Sequence, residues 1–273
     1  MNRITQTFQH LHQRQAKALM PFVVAGDPDL ATTARLLSVL DEAGCAVCEL
    51  GFPFSDPIAD GPVIQDSMAY ALKHQVRPGD ILDMVKQVRG KLKMALVAMV
   101  SYSIVHRLGP REFIANAAAA GMDGFIIPDL PVEESALVRK LIAEAGLTCS
   151  FLIAPTTSPE RARMIAQACT GFVYVLARAG VTGESAELPA DLCARLQELR
   201  QATDLPLAVG FGVSSAAQVR QVVAAADAVI VGSAIMRRVV EARAQGGEVV
   251  VEQVRRFIVE LQSGLPAATP GTK

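Results

Sequence analysis

The chain has 273 residues, 51% of them hydrophobic, with 26 basic and 27 acidic residues and a formal net charge of −1. It is long enough to bury a large core in one or two domains. Its balanced charge, without a basic block, excludes a nucleic-acid or anionic-membrane surface as the working face.

The segment from Met1 to Lys17 is polar, unlike a secretory signal. The longest apolar stretch, residues 94–105, is interrupted by Ser101, Tyr102 and Ser103 and is too short to span a bilayer, so a soluble cytoplasmic protein is expected. Residues 3–13 read as a short polar helix ahead of the fold. An alternation follows in which short apolar strands at 21–25, 46–50, 95–100, 124–127, 149–153, 172–176, 207–209 and 228–231 are each followed by a helical pattern. The helices fall near 30–43, 62–73, 79–89, 110–120, 133–145, 159–168, 189–201, 216–224 and 235–262. Leu36, Leu37 and Leu40 share one face of the first, and Gly44 stops it. Strands without polar alternation are buried on both faces, as in parallel sheets. Eight β/α units of this size close as a TIM barrel, here residues 1–262 with an extra N-terminal helix and a tail, 263–273, expected to be disordered. An open doubly wound sheet is the alternative, but no Gly-x-Gly-x-x-Gly turn follows the first strand.

The five cysteines (Cys45, Cys48, Cys149, Cys169, Cys193) are odd in number and lack a secretion signal, which points away from a disulfide framework. Cys45 and Cys48 have redox-like spacing, yet the apolar pair between them favours two small buried hydrophobes. The four histidines show no ligand spacing, and no metal site is expected.

The chemistry concentrates in Glu49-Leu-Gly-Phe-Pro-Phe-Ser-Asp-Pro-Ile-Ala-Asp-Gly-Pro-Val-Ile-Gln65. Glu49 ends an apolar strand, where scarce water disfavours its charged form. Asp60, on the loop beyond, is expected to stay ionised, and two carboxyls so separated suit acid and base work together. Asp56 and Asp60 have a plainer alternative as Asp-Pro and Asp-Gly turn formers. Gly183, Gly212 and Gly232-Ser233 follow the last three strands, where backbone N–H groups and a helix N-terminus suit a phosphate. Turn formation alone is the alternative there too. Phe22, Ile153, Tyr174, Leu176 and Phe211, each alone a core residue, together suit a flat apolar ring. None of the seven lysines ends a strand, which disfavours a Schiff-base aldolase.

The segment 49–65 closely resembles the signature of the tryptophan synthase α-subunit family. Ala25-Gly-Asp-Pro28, Ile127-Pro-Asp-Leu-Pro131, Gly180-Val-Thr-Gly183, Leu205-Pro-Leu-Ala-Val-Gly-Phe-Gly212 and Val231-Gly-Ser-Ala234 extend the resemblance over most of the chain. It implies retro-aldol cleavage of indole-3-glycerol phosphate to indole and glyceraldehyde 3-phosphate, without metal or organic cofactor. Glu49 would move protons at indole C3 and the substrate hydroxyl, and Asp60 would accept the indole N–H. Phe22, Tyr174 and Phe211 would line the pocket with Thr182 at the substrate, and Gly183, Gly212, Gly232 and Ser233 would hold the phosphate. Asp56, Pro57 and Asp129 would serve loop closure or docking of a PLP-dependent β subunit in an αββα heterotetramer.

One segment departs from the family pattern. Where the family has Tyr-x-Asn, often Pro, then an aromatic, this chain has Ser101, Ser103, Ile104 and His106, with Tyr102 at a less constrained position. The resemblance makes that Tyr a pocket residue and the Asn and aromatic partner contacts. A stand-alone lyase without a β partner is therefore an alternative, and a non-catalytic barrel of the same family is a second.

Overall fold

A computed structural model describes residues 2–58, 60–178, 189, 191–210 and 212–267. The strands are β1 (Ala18–Val24), β2 (Val47–Gly51), β3 (Ala95–Met99), β4 (Gly124–Ile126), β5 (Thr148–Ser150), β6 (Leu152–Ile153), β7 (Val173–Leu176), β8 (Leu207–Gly210) and β9 (Ala228–Val231). Their spatial order is β5-β4-β3-β2-β1-β9-β8-β7-β6, with every pairing parallel. The two ends of that order, β5 and β6, are consecutive in the chain and separated only by Phe151. They are two halves of one strand, the first paired with β4 and the second with β7, so the ring closes through the strand itself. The expected eight-stranded barrel is present, and the ninth segment is this break.

The helices are α1 (Arg3–Gln13), α2 (Leu30–Glu42), α3 (Pro62–Lys73), α4 (Pro78–Val88), α5 (Tyr102–Leu108), α6 (Pro110–Ala120), α7 (Ala136–Glu144), α8 (Pro159–Ala168), α9 (Leu192–Arg200), α10 (Ala216–Val223), α11 (Ser233–Ala242) and α12 (Gly247–Gln262). Among the described residues, none is long and apolar enough to cross a membrane. Alternation along each strand sends one set of side chains outward to these helices and the other into the barrel. Met20, Val47, Val97, Ile126, Tyr174, Ala208 and Ile230 belong to the inner cluster. Of the cysteines, Cys45, Cys48, Cys149 and Cys169 are buried as free thiols and Cys193 is exposed.

The expected polar helix at the N-terminus does more than precede the fold. Ile4 and Phe8 lie one turn apart on α1, are 0% and 5% exposed, and enter the inner cluster from the N-terminal end of the barrel. The Phe8 ring packs against Phe172 with centroids 6.0 Å apart. Asn2 caps α1 by accepting from the Ile4 N–H, and its amide donates to the carbonyls of Asp123 (2.8 Å) and Gly146 (3.0 Å).

Two further expectations are revised. Residues 102–108 form a helix, because Ser101 and Asp129 supply its N-terminal hydrogen bonds. The last helical stretch divides at Gly246, whose φ of +99° suits glycine and not a continuing helix. After α12, Gly264 N–H donates to Leu261 O (3.0 Å) and Leu265 N–H to Gln262 O (3.0 Å), continuing the turn that ends the helix. Residues 268–273 lie outside the described residues.

Removing the plug at Phe8 leaves a cavity at the barrel's closed end, far from the C-terminal strand ends. Phe8→Ala should cost about 3–5 kcal/mol in urea unfolding. A cost below ~1 kcal/mol would show that α1 is a surface addition.

Candidate active site

The register sets the site. Glu49 on β2 is the Cα partner of Phe22 on β1 and of Val97 on β3, and Val97 belongs to the inner cluster, so Glu49 also faces the barrel axis. It is 0% exposed, and among the described residues neither carboxyl oxygen has a hydrogen-bond partner. Burial alone pushes its pKa well above the ordinary glutamate range. A buried carboxyl without donors holds its proton, because the anion would forfeit hydration without compensation.

Above Glu49 the barrel is hollow, and glycines account for part of that. A Cβ on Gly51 would lie 2.6 Å from the Phe22 ring, and one on Gly210 would lie 2.4 Å from the Tyr174 hydroxyl oxygen. Both positions are kept free for the two rings. The resulting cavity is lined by Phe22, Glu49, Asp60, Ile64, Met99, Tyr174, Gly212, Ile230, Gly232 and Ser233. Burial first, and then the neighbouring Glu49 and Asp60 carboxyls, push the Tyr174 hydroxyl well above its ordinary range, so it stays protonated.

Asp60 reaches this cavity from the loop between β2 and α3. It is half-buried, and desolvation raises its pKa to about 6. It is still mainly ionised at neutral pH, whereas Glu49 is held further up. At the opposite wall, Gly232 is the N-cap of α11 and provides no side-chain capping bond. The positive end of that helix is therefore directed at the cavity beside Ser233 and Gly212.

Other candidates are placed differently. Ile153 does not line the cavity: it pairs with Val175, and alternation turns it toward the helices, whereas Leu152, paired with Tyr174, packs against the inner cluster. Leu176 packs against the inner cluster but is not among the lining residues. Asp56 and Pro57 lie on the loop before Asp60, Asp56 exposed and accepting from the Ser55 hydroxyl. Asp129 accepts from the Ser101 hydroxyl (2.6 Å) and the Tyr102 N–H (2.7 Å), so the departing segment is built into the start of α5 and Ser101 does not line the cavity. Thr182, Gly183 and Phe211 lie outside the described residues. Ile64, Met99 and Ile230 were missed. Met99 ends a strand, so its position was the available signal; Ile64 and Ile230 carried none beyond being apolar. Among the described residues, no three His, Cys, Asp or Glu side chains converge as a metal-holding group.

The family model described as tryptophan synthase alpha chain matches residues 8–265. A tryptophan synthase alpha chain of Synechocystis is 43% identical over 266 residues, 97% of this chain and 100% of that protein. One from Geobacter is 41% identical over 97% of this chain and 98% of its own length. The crystal structure of tryptophan synthase subunit alpha from Legionella pneumophila superposes with a TM-score of 0.88 at 34% identity, covering 97% of this chain and 98% of that one. A chain of the aminoacrylate-bound tryptophan synthase of Mycobacterium tuberculosis superposes with a TM-score of 0.85 at 31% identity, over 97% and 100% of the two chains.

The buried carboxyl has a consequence for stability. Glu49 keeps its proton in the fold at pH values where the unfolded chain has lost it, so the folded state binds more protons over that interval. Stability must then fall as pH rises, by about 1.4 kcal/mol per unit. Glu49→Gln removes this titration, so the stability difference between the variant and the parent protein should widen from about pH 5 through neutrality. A difference independent of pH would mean that Glu49 is ionised in the fold.

Proposed function

The chain belongs to the tryptophan synthase alpha chain family, and on that premise we propose that it cleaves indole-3-glycerol phosphate to indole and glyceraldehyde 3-phosphate in tryptophan biosynthesis, in the cytoplasm. The observation that carries the assignment of roles is the wholly buried, unpartnered Glu49 carboxyl at the base of a cavity that also receives Asp60. Protonated Glu49 donates to indole C3, and the positive charge this places on the ring nitrogen is steadied by a hydrogen bond from its N–H to ionised Asp60. The Glu49 carboxylate, re-formed in a dry site, then takes the proton of the adjacent glycerol hydroxyl. The carbon–carbon bond breaks, and its electron pair returns to the ring. Glu49 ends protonated as it began, so the cycle needs no external acid or base.

Phe22 and Tyr174 supply apolar faces for the indole. Gly212, after β8, and Gly232 and Ser233, at the uncapped start of α11, receive the phosphate. Thr182, Gly183 and Phe211 complete these sets by resemblance. The α chain works without a cofactor of its own, PLP belonging to a β subunit that takes the indole in an αββα assembly. Exposed apolar side chains beyond the C-terminal ends of β2, β3 and β4 support that docking: Ile58 is 86% exposed, Leu108 40% and Leu137 61%. Asp56 and Pro57 share the loop of Ile58, and Asp129 lies on the loop after β4.

Glu49→Gln should abolish indole release while leaving the fold intact, because an amide cannot exchange the proton. Asp60→Asn should lower kcat by about 10²-fold or more in the same assay. Turnover retained in Glu49→Gln would refute the mechanism. Adding a β subunit should raise turnover and co-purify with the chain; no response to one would refute the partnership.

A further inference from the structure

Asp60 is carried by a loop whose own backbone bonds are short-range: Ile58 N–H to Asp56 O (2.8 Å) and Asp60 N–H to Pro57 O (3.0 Å). These bonds curl the loop on itself without fixing it to the barrel. The link outward comes from Gln65, on the first turn of α3. Its side-chain amide donates to the carbonyl of Asp60 (2.7 Å) and to that of Pro57 (3.3 Å). An amide NH2 has two hydrogens, and here both have a carbonyl within reach.

The helix supplying that amide is itself anchored. Ile64, Ser67, Met68 and Ala71 bury one face of α3. On its flank, Arg243 donates to Asp66 (2.8 Å), stacks 4.2 Å from the centroid of the Tyr70 ring, and pairs with the fully buried Asp27 (3.3 Å) in the loop after β1. The chain of contacts runs from the barrel through Arg243 to α3, then through Gln65 to the backbone of Asp60. We propose that Gln65 is a positioning residue, clamping the loop so that the Asp60 carboxylate is presented to the cavity. Its bearing on the reaction rests on the reading of Asp60 given above.

The clamp predicts where the carboxylate sits, and that position is measurable without turnover. Asp60 is raised to about 6 by burial at the cavity wall. Among the described residues, the titratable groups facing it from other elements are Glu49 of β2 and Tyr174 of β7, both kept neutral at pH 7 by burial; Asp56 shares its loop. Gln65→Met preserves length and helix propensity and removes both hydrogen bonds. It should let the carboxylate swing into water.

The test is a carboxyl-carbon NMR titration of the full chain, with the Asp60 signal assigned by its loss in Asp60→Asn. In Gln65→Met the midpoint should move down by about one unit or more, toward the ordinary aspartate range, with an unchanged Tm. The kcat/KM for indole-3-glycerol phosphate should fall by up to about 10²-fold, with its acid limb following the same shift. A midpoint that stays near that of the parent protein overturns the proposal whatever the activity does. A midpoint that moves while turnover is kept upholds the clamp and removes Asp60 from the reaction instead.

Discussion

A carboxyl enclosed by the barrel, with no donor to either oxygen among the described residues, is the constraint on which the rest of the site depends. Transferring an isolated carboxylate out of water is so unfavourable that such a group keeps its proton instead. Glu49 is in that position because β2 places it on the inner face, between Phe22 and Val97 in register. Water is kept from below by Ile4 and Phe8 of α1 and from the sides by the inner cluster. The plug at one end of the barrel and the acid near the other therefore belong to one design. An open N-terminal end would admit water to the axis, and hydration would return Glu49 toward the ordinary range.

The second carboxyl is held differently. Asp60 comes from a loop and is half-buried, so its pKa rises only to about 6. The two acids are separated in pKa by how deeply they are buried, more than by one being buried and the other free. That separation leaves a neutral acid and an anion together at neutral pH, the pair needed for proton delivery to a ring whose nitrogen turns positive. Tyr174 between them remains a neutral apolar wall, because ionising it beside two carboxyls would be more unfavourable still.

Much of this was legible in the residues. Parallel strands buried on both faces announce themselves as unbroken apolar runs, and a Glu closing such a run stands out. Which face an apolar residue presents was less legible. Ile153 and Leu152 have similar chemistry, and only pairing with β7 shows that Leu152 turns inward and Ile153 outward. The break at Phe151 that closes the ring has no compositional marker, and the start of α5 donates hydrogen bonds to Asp129, about a full β/α unit away in sequence. Ile230 is a cavity residue by strand register, and Ile64 by the buried face of α3 on which it lies. Short polar motifs carry chemistry in their identity, whereas apolar walls carry it in their orientation, which local sequence does not encode.

The hollow above Glu49 has its own origin in the strands. A barrel of this kind normally fills its axis with layers of side chains. Here Gly51 and Gly210 contribute none, and the space is taken by the rings of Phe22 and Tyr174 from neighbouring strands. Those rings, Glu49 and Gly232 all sit on or immediately after strands, whose mutual pairing fixes them. Asp60 alone among the described polar groups of the cavity depends on a loop, held by side-chain bonds to its backbone. A rigid base thus sets the proton donor and the ring's plane, while one adjustable carboxylate meets the nitrogen. Substrate entry requires some part of the rim to yield, and the loop bonds can be broken and re-formed at far smaller cost than the sheet's register.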